Sequence, residues 1–417
     1  MKIKDLKFEK LKTQSGTPLF ILNLPYVNTI ASGVLIKAGT RDEIWPKEAG
    51  LAHALEHMSF QATKKFKNSQ EVSSYLEEIG GYLNAFTTQE GIFFHNIVPK
   101  EYFERAIISL SELVNNSLIP KDKIKIEMRN IAEEIKMYFD NPVSYITMEA
   151  LKFIYGKHPL GKNILGTANS VLSLRQEDFF NFKKRYFNSN NYVFICVGNI
   201  KSEDALKLFD EYFERIPGSV NKRLIVKPSK TTKKTLIKTR KDITQTQVLL
   251  LAPTVEAKSF EAKVLDLYSV MLSGGMSFPL FQELRDKRGL CYYVSASLDE
   301  FSDSSLFSVY LGTDPKKYQE AIDVSLEIIN SNKNNQQLMT KAKDLTLGRL
   351  SLVFDDPKSI LNLAISDVLI GEEPKTYNQI KQEIEKISID DIEEAVSNYL
   401  LKGNLRQVLL VPQIKNS

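Results

Sequence analysis

Two cysteines are all that this chain of 417 residues contains. That scarcity excludes a disulfide framework and a cysteine-built metal cluster. Cys196 and Cys291 each fall in an apolar or mixed, strand-like run and read as buried free thiols. Long apolar runs are missing as well: no stretch approaches the ~20 residues needed to cross a bilayer. The N-terminus, Met-Lys-Ile-Lys-Asp-Leu-Lys-Phe-Glu, alternates charged and apolar residues and lacks the apolar core of a secretory signal. The expectation is a cytoplasmic protein with no membrane partner. Excess charge is also missing. The chain has 55 Lys and Arg against 51 Asp and Glu, a net +4, which gives no reason to invoke nucleic acid. Histidine is scarce too, with four in the whole chain, so the position of each carries information.

Two of those four stand in Gly50-Leu-Ala-His-Ala-Leu-Glu-His-Met-Ser-Phe60, as His53-x-x-Glu56-His57. No Gly or Pro interrupts Leu51 to Phe60, and Ala, Leu, Glu and Met favour helix. On a helix, His53 and His57 are i and i+4 and share one face about 5–6 Å apart at Cβ. Two imidazoles so placed can converge on one metal ion at about 2.0–2.1 Å each. Glu56 lies on the same face, placed to touch a water on that ion. The pattern is the inverted form of His-Glu-x-x-His.

The bulk of the chain is globular in composition, 43% hydrophobic and 25% charged, and its length suggests two or three domains. Strands are expected at Phe20–Leu24, Thr29–Ala38, Tyr82–Thr88, Gly91–Val98 and Tyr192–Gly198. Helices are expected at Ser69–Ile79, Pro99–Asn116, Lys121–Phe139 (stopped by Asn141-Pro142) and Ser202–Arg215. The second half then repeats the first. Pro99-Lys-Glu-Tyr102 returns as Pro315-Lys-Lys-Tyr318, and Phe139-Asp-Asn-Pro142 as Phe354-Asp-Asp-Pro357. Val197-Gly-Asn-Ile200 returns as Val411-Pro-Gln-Ile414, and Thr29–Leu35 matches Gln245–Leu251. Four matches in one order at an offset of about 215 point to a duplicated unit. The expected fold is α+β, with two homologous α/β-sandwich domains. Each is a mostly antiparallel sheet packed with helices. The boundaries are 1–218, a connector at 219–236, and 237–417.

The repeat supplies its own control. Shifted by 216, His53, Glu56 and His57 become Ser269, Leu272 and Ser273; shifted by 215, Glu134 becomes Arg349. The second copy keeps the fold signals without the candidate metal residues, so the fold does not require them. A catalytic zinc site usually takes three protein ligands. The helix Lys121–Phe139 offers Glu127, Glu133 and Glu134, of which Glu127 and Glu134 are i and i+7 on one face. Composition alone leaves the choice open.

His53-x-x-Glu56-His57, followed after 76 residues by Glu134, resembles the pitrilysin family of zinc peptidases, which includes insulin-degrading enzymes and mitochondrial processing peptidase. The resemblance runs over essentially the whole chain and is to the short, half-size bacterial members. It implies His53, His57 and Glu134 as ligands of one Zn²⁺, with Glu127 assisting the site. It implies hydrolysis of peptides by zinc-activated water, with Glu56 as general base. Gly80-Gly-Tyr-Leu-Asn-Ala-Phe-Thr87 resembles the family's edge strand, to which substrate adds as a further strand, making Asn84, Ala85 and Phe86 candidate substrate contacts. Gly274-Gly-Met-Ser-Phe-Pro-Leu-Phe-Gln-Glu-Leu-Arg-Asp-Lys-Arg-Gly-Leu-Cys-Tyr292 is similar to the segment whose Arg and Tyr reach the substrate backbone, here Arg285 and Tyr292. Phe278-Pro279 departs from the small or polar residues and Arg common there.

The family builds a closed chamber from four such repeats, so two chains are implied. Because this chain carries both the zinc motif and the Arg/Tyr pair, a homodimer is the first expectation and a heterodimer the second. Unfolded or short peptides are the implied substrates. The rival reading is a non-catalytic scaffold or peptide-binding subunit of a heteromeric processing peptidase. His95 and His158 read as structural.

Overall fold

The computed structural model describes residues 6–220, 222–226, 233–401 and 403–413. Residues 1–5, Ile414 and, within the expected connector, positions 221 and 227–232 lie outside the described residues. The first repeat runs β1 (Glu9–Lys12), β2 (Pro18–Asn23), β3 (Thr29–Ile36), α1 (Leu51–Ser59), α2 (Ser69–Glu77), β4 (Tyr82–Thr87), β5 (Ile92–Pro99), α3 (Phe103–Asn115), α4 (Lys121–Asp140), α5 (Pro142–Tyr155), α6 (Ala168–Leu172), α7 (Gln176–Tyr186), β6 (Tyr192–Gly198) and α8 (Ser202–Tyr212). The second runs β7 (Thr235–Arg240), β8 (Thr246–Pro253), α9 (Phe260–Ser273), a π-helix (Phe281–Lys287), β9 (Cys291–Phe301), β10 (Ser304–Thr313), α10 (Tyr318–Ser331), α11 (Gln336–Val353), α12 (Pro357–Leu369), α13 (Tyr377–Lys386), α14 (Ile389–Tyr399) and β11 (Arg406–Pro412).

The two sheets have one topology. The first is ordered β1-β2-β6-β3-β5-β4 and the second β7-β11-β8-β10-β9. Without β1 they superpose strand for strand under the sequence repeat. Even the parallel pairing of β2 with β6 is matched by that of β7 with β11; among the described residues the other strand pairings are antiparallel. The α+β architecture of two homologous sandwich units is therefore realised. β3 and β6 are buried along nearly their whole length. That explains why they read as continuous apolar runs and not as alternating ones.

Packing divides the chain differently from the repeat. One compact unit comprises Met1–Met137, Lys162–Leu224 and Val353–Tyr377; the other comprises Tyr138–Gly161, Ile225–Leu352 and Asn378–Ser417. The segments that cross over are the two equivalent helices α5 and α12. The long helix α4 stops at Asp140, and Asn141 caps a new helix at once, its side chain accepting from the amides of Val143 and Ser144 with Pro142 in the first turn. Asp356 and Pro357 do the same for α12. α5 buries Ile146, Ala150 and Ile154, four apart on one face, among Leu249, Leu251, Val408 and Leu410 of the second sheet. α12 buries Ile360, Leu361, Ala364, Ile365 and Val368 and packs on β3 and β6 of the first. Each sheet is thus completed by a helix from the other repeat. Among the described residues no helix is long and apolar enough to cross a membrane.

Candidate metal centre

The helix α1 is aimed by its N-terminus. Gly50 precedes it with φ +86°, a left-handed conformation open to Gly at little cost. A Cβ there would stand 2.4 Å from the carbonyl oxygen of Leu165, so the position has no room either. The buried carboxylate of Glu43 accepts the amides of Gly50 at 3.0 Å and Ala52 at 2.9 Å, capping the orphan donors of the first turn. Burial pushes the Glu43 carboxyl well up, and those two amide bonds pull it back. Leu51, Ala52, Ala54, Leu55 and Met58 turn into the core, which leaves His53, Glu56 and His57 on the remaining face.

α4 lies alongside. It buries Ile124, Met128, Ile131, Ala132 and Ile135 and turns Glu127 and Glu134 towards α1. Glu134 Oε2 stands 3.3 Å from His53 Nε2 and 3.8 Å from His57 Nε2. The donors of the three residues all lie within 4.8 Å of one another. Glu133 points away and pairs with Lys136 at 2.6 Å. Donors around a tetrahedral ion at about 2.0–2.1 Å are spaced about 3.3–3.4 Å apart, so this set fits a zinc-sized divalent ion with little movement. Two imidazole nitrogens and one carboxylate are also the donor chemistry that Zn²⁺ takes.

The far nitrogen of each imidazole meets a carboxylate. His53 Nδ1 is 3.7 Å from Glu56 Oε2, and His57 Nδ1 is 3.6 Å from Glu127 Oε2. Such partners fix ring orientation and raise ligand basicity. Burial alone would depress His53, but the carboxylates of Glu134 and Glu56 overcome it and lift the imidazole to about 9. In return the His53 hydrogen bond holds Glu134 below its usual range, against the effect of burial. Without a metal the site therefore keeps a proton between these two groups.

β4 brings Thr87 to the same place. Its hydroxyl donates to Glu56 Oε2 at 2.5 Å and ties the edge of the sheet to the metal helix. The expected substrate contacts Asn84, Ala85 and Phe86 all lie on β4, the last strand of its sheet. Ala85 is buried, Phe86 packs on Phe93 and His95, and Asn84 is exposed. Nothing in the sequence by itself marks Thr87 or Glu43 as part of the site. Thr87 closes the edge-strand motif, and its role is visible only once the register of β4 against α1 is known. A Glu seven residues before Gly50 carries no signal at all.

In the second unit Arg285 and Tyr292 come together. The guanidinium lies 4.3 Å from the Tyr292 ring centroid and 4.7 Å from that of Phe281, a cation–π sandwich. Arg285 sits on the π-helix, and Tyr292, at 74% exposure, is the second residue of β9. Phe278, the departure from the resembling segment, is buried beneath the Lys341 ammonium. At the shifted positions Ser269 and Ser273 bond backbone carbonyls of their own helix, and Arg349 donates to the Gly274 carbonyl. His158 accepts from the Leu160 amide at a turn. His95 is buried in the first sheet, with Nδ1 lacking a partner.

Comparison with known proteins bears on this geometry. A family profile described as "Insulinase (Peptidase family M16)" matches residues 20–168, and one described as "Peptidase M16 inactive domain" matches residues 173–345. A protein of Bacillus subtilis named as an uncharacterized zinc protease is 28% identical over 382 residues, 91% of this chain and 92% of its own. One of Mycobacterium leprae, also named as an uncharacterized zinc protease, is 29% identical over 405 residues, 94% of this chain and 88% of its own. Among solved structures, a protease from Helicobacter pylori has a TM-score of 0.90 at 20% identity, over 98% of this chain and 100% of that one. A putative M16-like peptidase from Alicyclobacillus acidocaldarius has a TM-score of 0.86 at 17% identity, over 98% and 99%.

Proposed function

That the chain belongs to the pitrilysin-like M16 peptidase family, in the half-size form of bacterial members, is the premise from which we propose that it is a zinc metalloendopeptidase acting on unfolded or short peptides. The observation that carries the proposal is the convergence of His53, His57 and Glu134 with Glu56 beside them. It occurs in one repeat, while the other keeps the fold without those residues. One Zn²⁺ per chain would be held by the three ligands. Bound there, the ion supplies Lewis acidity, polarising a scissile carbonyl and acidifying water.

The chain's own groups do the rest. Glu56 takes the proton from water and delivers it to the leaving amine, assistance typically worth ~10²–10⁴ in rate. Thr87 fixes one Glu56 oxygen and so orients the other. Glu127 holds the His57 ring. An extended peptide adds to the open edge of β4 through backbone hydrogen bonds, with Asn84, Ala85 and Phe86 as its contacts on that strand. Arg285 and Tyr292 are assigned to the substrate backbone, their charge and hydroxyl suited to a carbonyl. Two chains closing a chamber of four repeats, as a homodimer, would restrict access to extended polypeptides. A cytoplasmic setting suits the buried free thiols Cys196 and Cys291.

The test is cleavage of an unstructured fluorogenic peptide library by the purified chain, with Glu56→Gln in parallel and metal content measured for both. Wild-type cleavage, a silent variant and about one zinc per chain in each support the peptidase. Bound metal with no cleavage by either favours the scaffold subunit, and a chain that binds no metal removes the basis of the proposal.

A further inference from the structure

β4 is an edge strand, and its phase can be read from its hairpin. The Thr88 amide donates to the Gly91 carbonyl, and the register pairs Tyr82 with Ile97, Asn84 with His95 and Phe86 with Phe93. In an antiparallel ladder, residues that exchange bonds with the partner strand alternate with residues that do not. Tyr82, Asn84 and Phe86 therefore bond to β5, while Leu83, Ala85 and Thr87 direct their amides and carbonyls to the open edge. A peptide strand joining the sheet needs those groups.

The Ala85 amide is already taken. It donates to Asn84 Oδ1 at 2.8 Å, and Asn84 Nδ2 donates to the Tyr82 hydroxyl at 2.5 Å. Tyr82 is itself covered by the Lys358 ammonium, 4.6 Å from its ring centroid, at the start of α12. The side chain of Asn84 thus occupies the place that a substrate carbonyl must take. Directly across the ladder from Asn84 is His95. It is 5% exposed and stacked on Phe93 at 5.3 Å, and its Nδ1 is buried without a hydrogen-bond partner. Cross-strand partners stand about 4.5–5.5 Å apart at Cβ, within reach of a carboxamide. Burial and the nearby Lys358 charge push the imidazole down to about 4, so it is neutral and has an acceptor nitrogen to offer.

We propose that Asn84 is a two-position guard of the substrate edge. In the free protein its Oδ1 caps the Ala85 amide, with Tyr82 and Lys358 holding it there. When the carbonyl of an extended peptide takes that amide, the Asn84 carboxamide turns across the sheet face and donates to His95 Nδ1. The guard rests on strand addition at β4, as proposed above. It makes Tyr82, Lys358 and His95 positioning residues, and it gives an otherwise costly buried orphan nitrogen a partner in the bound state. It also blunts an open edge that would pair with other chains.

Two measurements test this. Hydrogen exchange of the full chain, followed over residues 82–87, needs no substrate: Asn84→Ala and Tyr82→Phe are expected to speed exchange of the Ala85 amide severalfold, and unchanged exchange overturns the guard. Binding of a fluorescent unstructured peptide is then measured in the Glu56→Gln background. One competing hydrogen bond is typically worth about three- to tenfold, so Asn84→Ala is expected to tighten binding by that factor. Weaker binding overturns the guard and makes Asn84 a simple contact. His95→Phe is expected to weaken binding with Asn84 present and to have no effect in the Asn84→Ala background. An equal loss in both backgrounds assigns His95 a structural role only and overturns the second position. A chain that neither binds nor cleaves peptide sinks the peptidase reading and the guard together, a result distinct from one in which peptide binds but the sign is wrong.

Discussion

Thr87 Oγ1 donates to Glu56 Oε2 at 2.5 Å, so the edge strand of the first sheet and the metal helix share one carboxylate. A hydrogen bond to a charged group is typically worth about 1.5–3 kcal/mol. Here it holds one oxygen and leaves the other for the proton transfer proposed for Glu56. Thr87→Val is expected to lower kcat by on the order of tenfold or more with zinc content unchanged, and Thr87→Ser to recover most of it. A matching loss of zinc in the Val variant would place Thr87 in the architecture of the site and not in its chemistry.

The carboxylates of α4 have separable roles. Glu134 faces both imidazoles, and Glu127 faces only the far nitrogen of His57. Replacing an outer partner typically costs about 10–100-fold in metal affinity. Glu127→Gln should show a loss of that size in competition with a chelating dye, whereas Glu134→Gln should hold no zinc at micromolar concentration. Equal losses in the two variants would contradict the assignment.

In the metal-free protein the proton shared by His53 and Glu134 sets a pH window. His53 is raised from 6.5 to about 9, so its contribution to the metal-free fold is complete below pH 6.5 and is lost as pH rises through about 9. Glu134 is lowered, so its contribution is present above its ordinary value and is lost on acidification. The metal-free protein should therefore have its highest Tm between about pH 4.5 and 6.5 from this pair. It should lose on the order of 3 kcal/mol towards pH 9. Zinc must displace the His53 proton, so its affinity should rise about tenfold per pH unit between 6.5 and 9. A flat affinity profile over that range would rule out the shared proton.

Gly50 and Gly80 both have positive φ, +86° and +71°, yet their surroundings differ. A Cβ on Gly50 meets the Leu165 carbonyl at 2.4 Å, whereas one on Gly80 meets nothing within 4 Å. Gly80→Ala should cost about 1–2 kcal/mol, the strain of the left-handed conformation alone. Gly50→Ala adds a backbone clash at the start of the metal helix and should lose zinc affinity as well as several degrees more of Tm. Thermal unfolding of both variants, with and without zinc, separates the two effects.

What could be read from the sequence follows from which signals are local. His53, Glu56 and His57 declare themselves because one helical turn brings them together. Glu134 and Glu127 share a face of their helix, but only the family resemblance selects them over Glu133, because which face meets α1 is a matter of tertiary packing. Thr87 depends on strand register, and Glu43 on a loop that folds back under a helix terminus; neither has a periodic signature. β1 escapes notice because Glu-Lys-Leu-Lys is short and polar. Asn141-Pro142 reads correctly as the end of α4. It starts another helix at once, and no local pattern states which sheet the new apolar face will cover.

That exchange of α5 and α12 has a consequence for synthesis. The first sheet has its last strand once Gly198 is made, but the helix that covers β3 and β6 begins at Pro357, 159 residues later (357 − 198). At 5–20 residues per second this is roughly 8–30 s of translation. Through that interval the nascent first half carries a complete sheet with one apolar face bare. The interval is a window for chaperone capture, and a chain truncated before α12 should be made but recovered chiefly as aggregate.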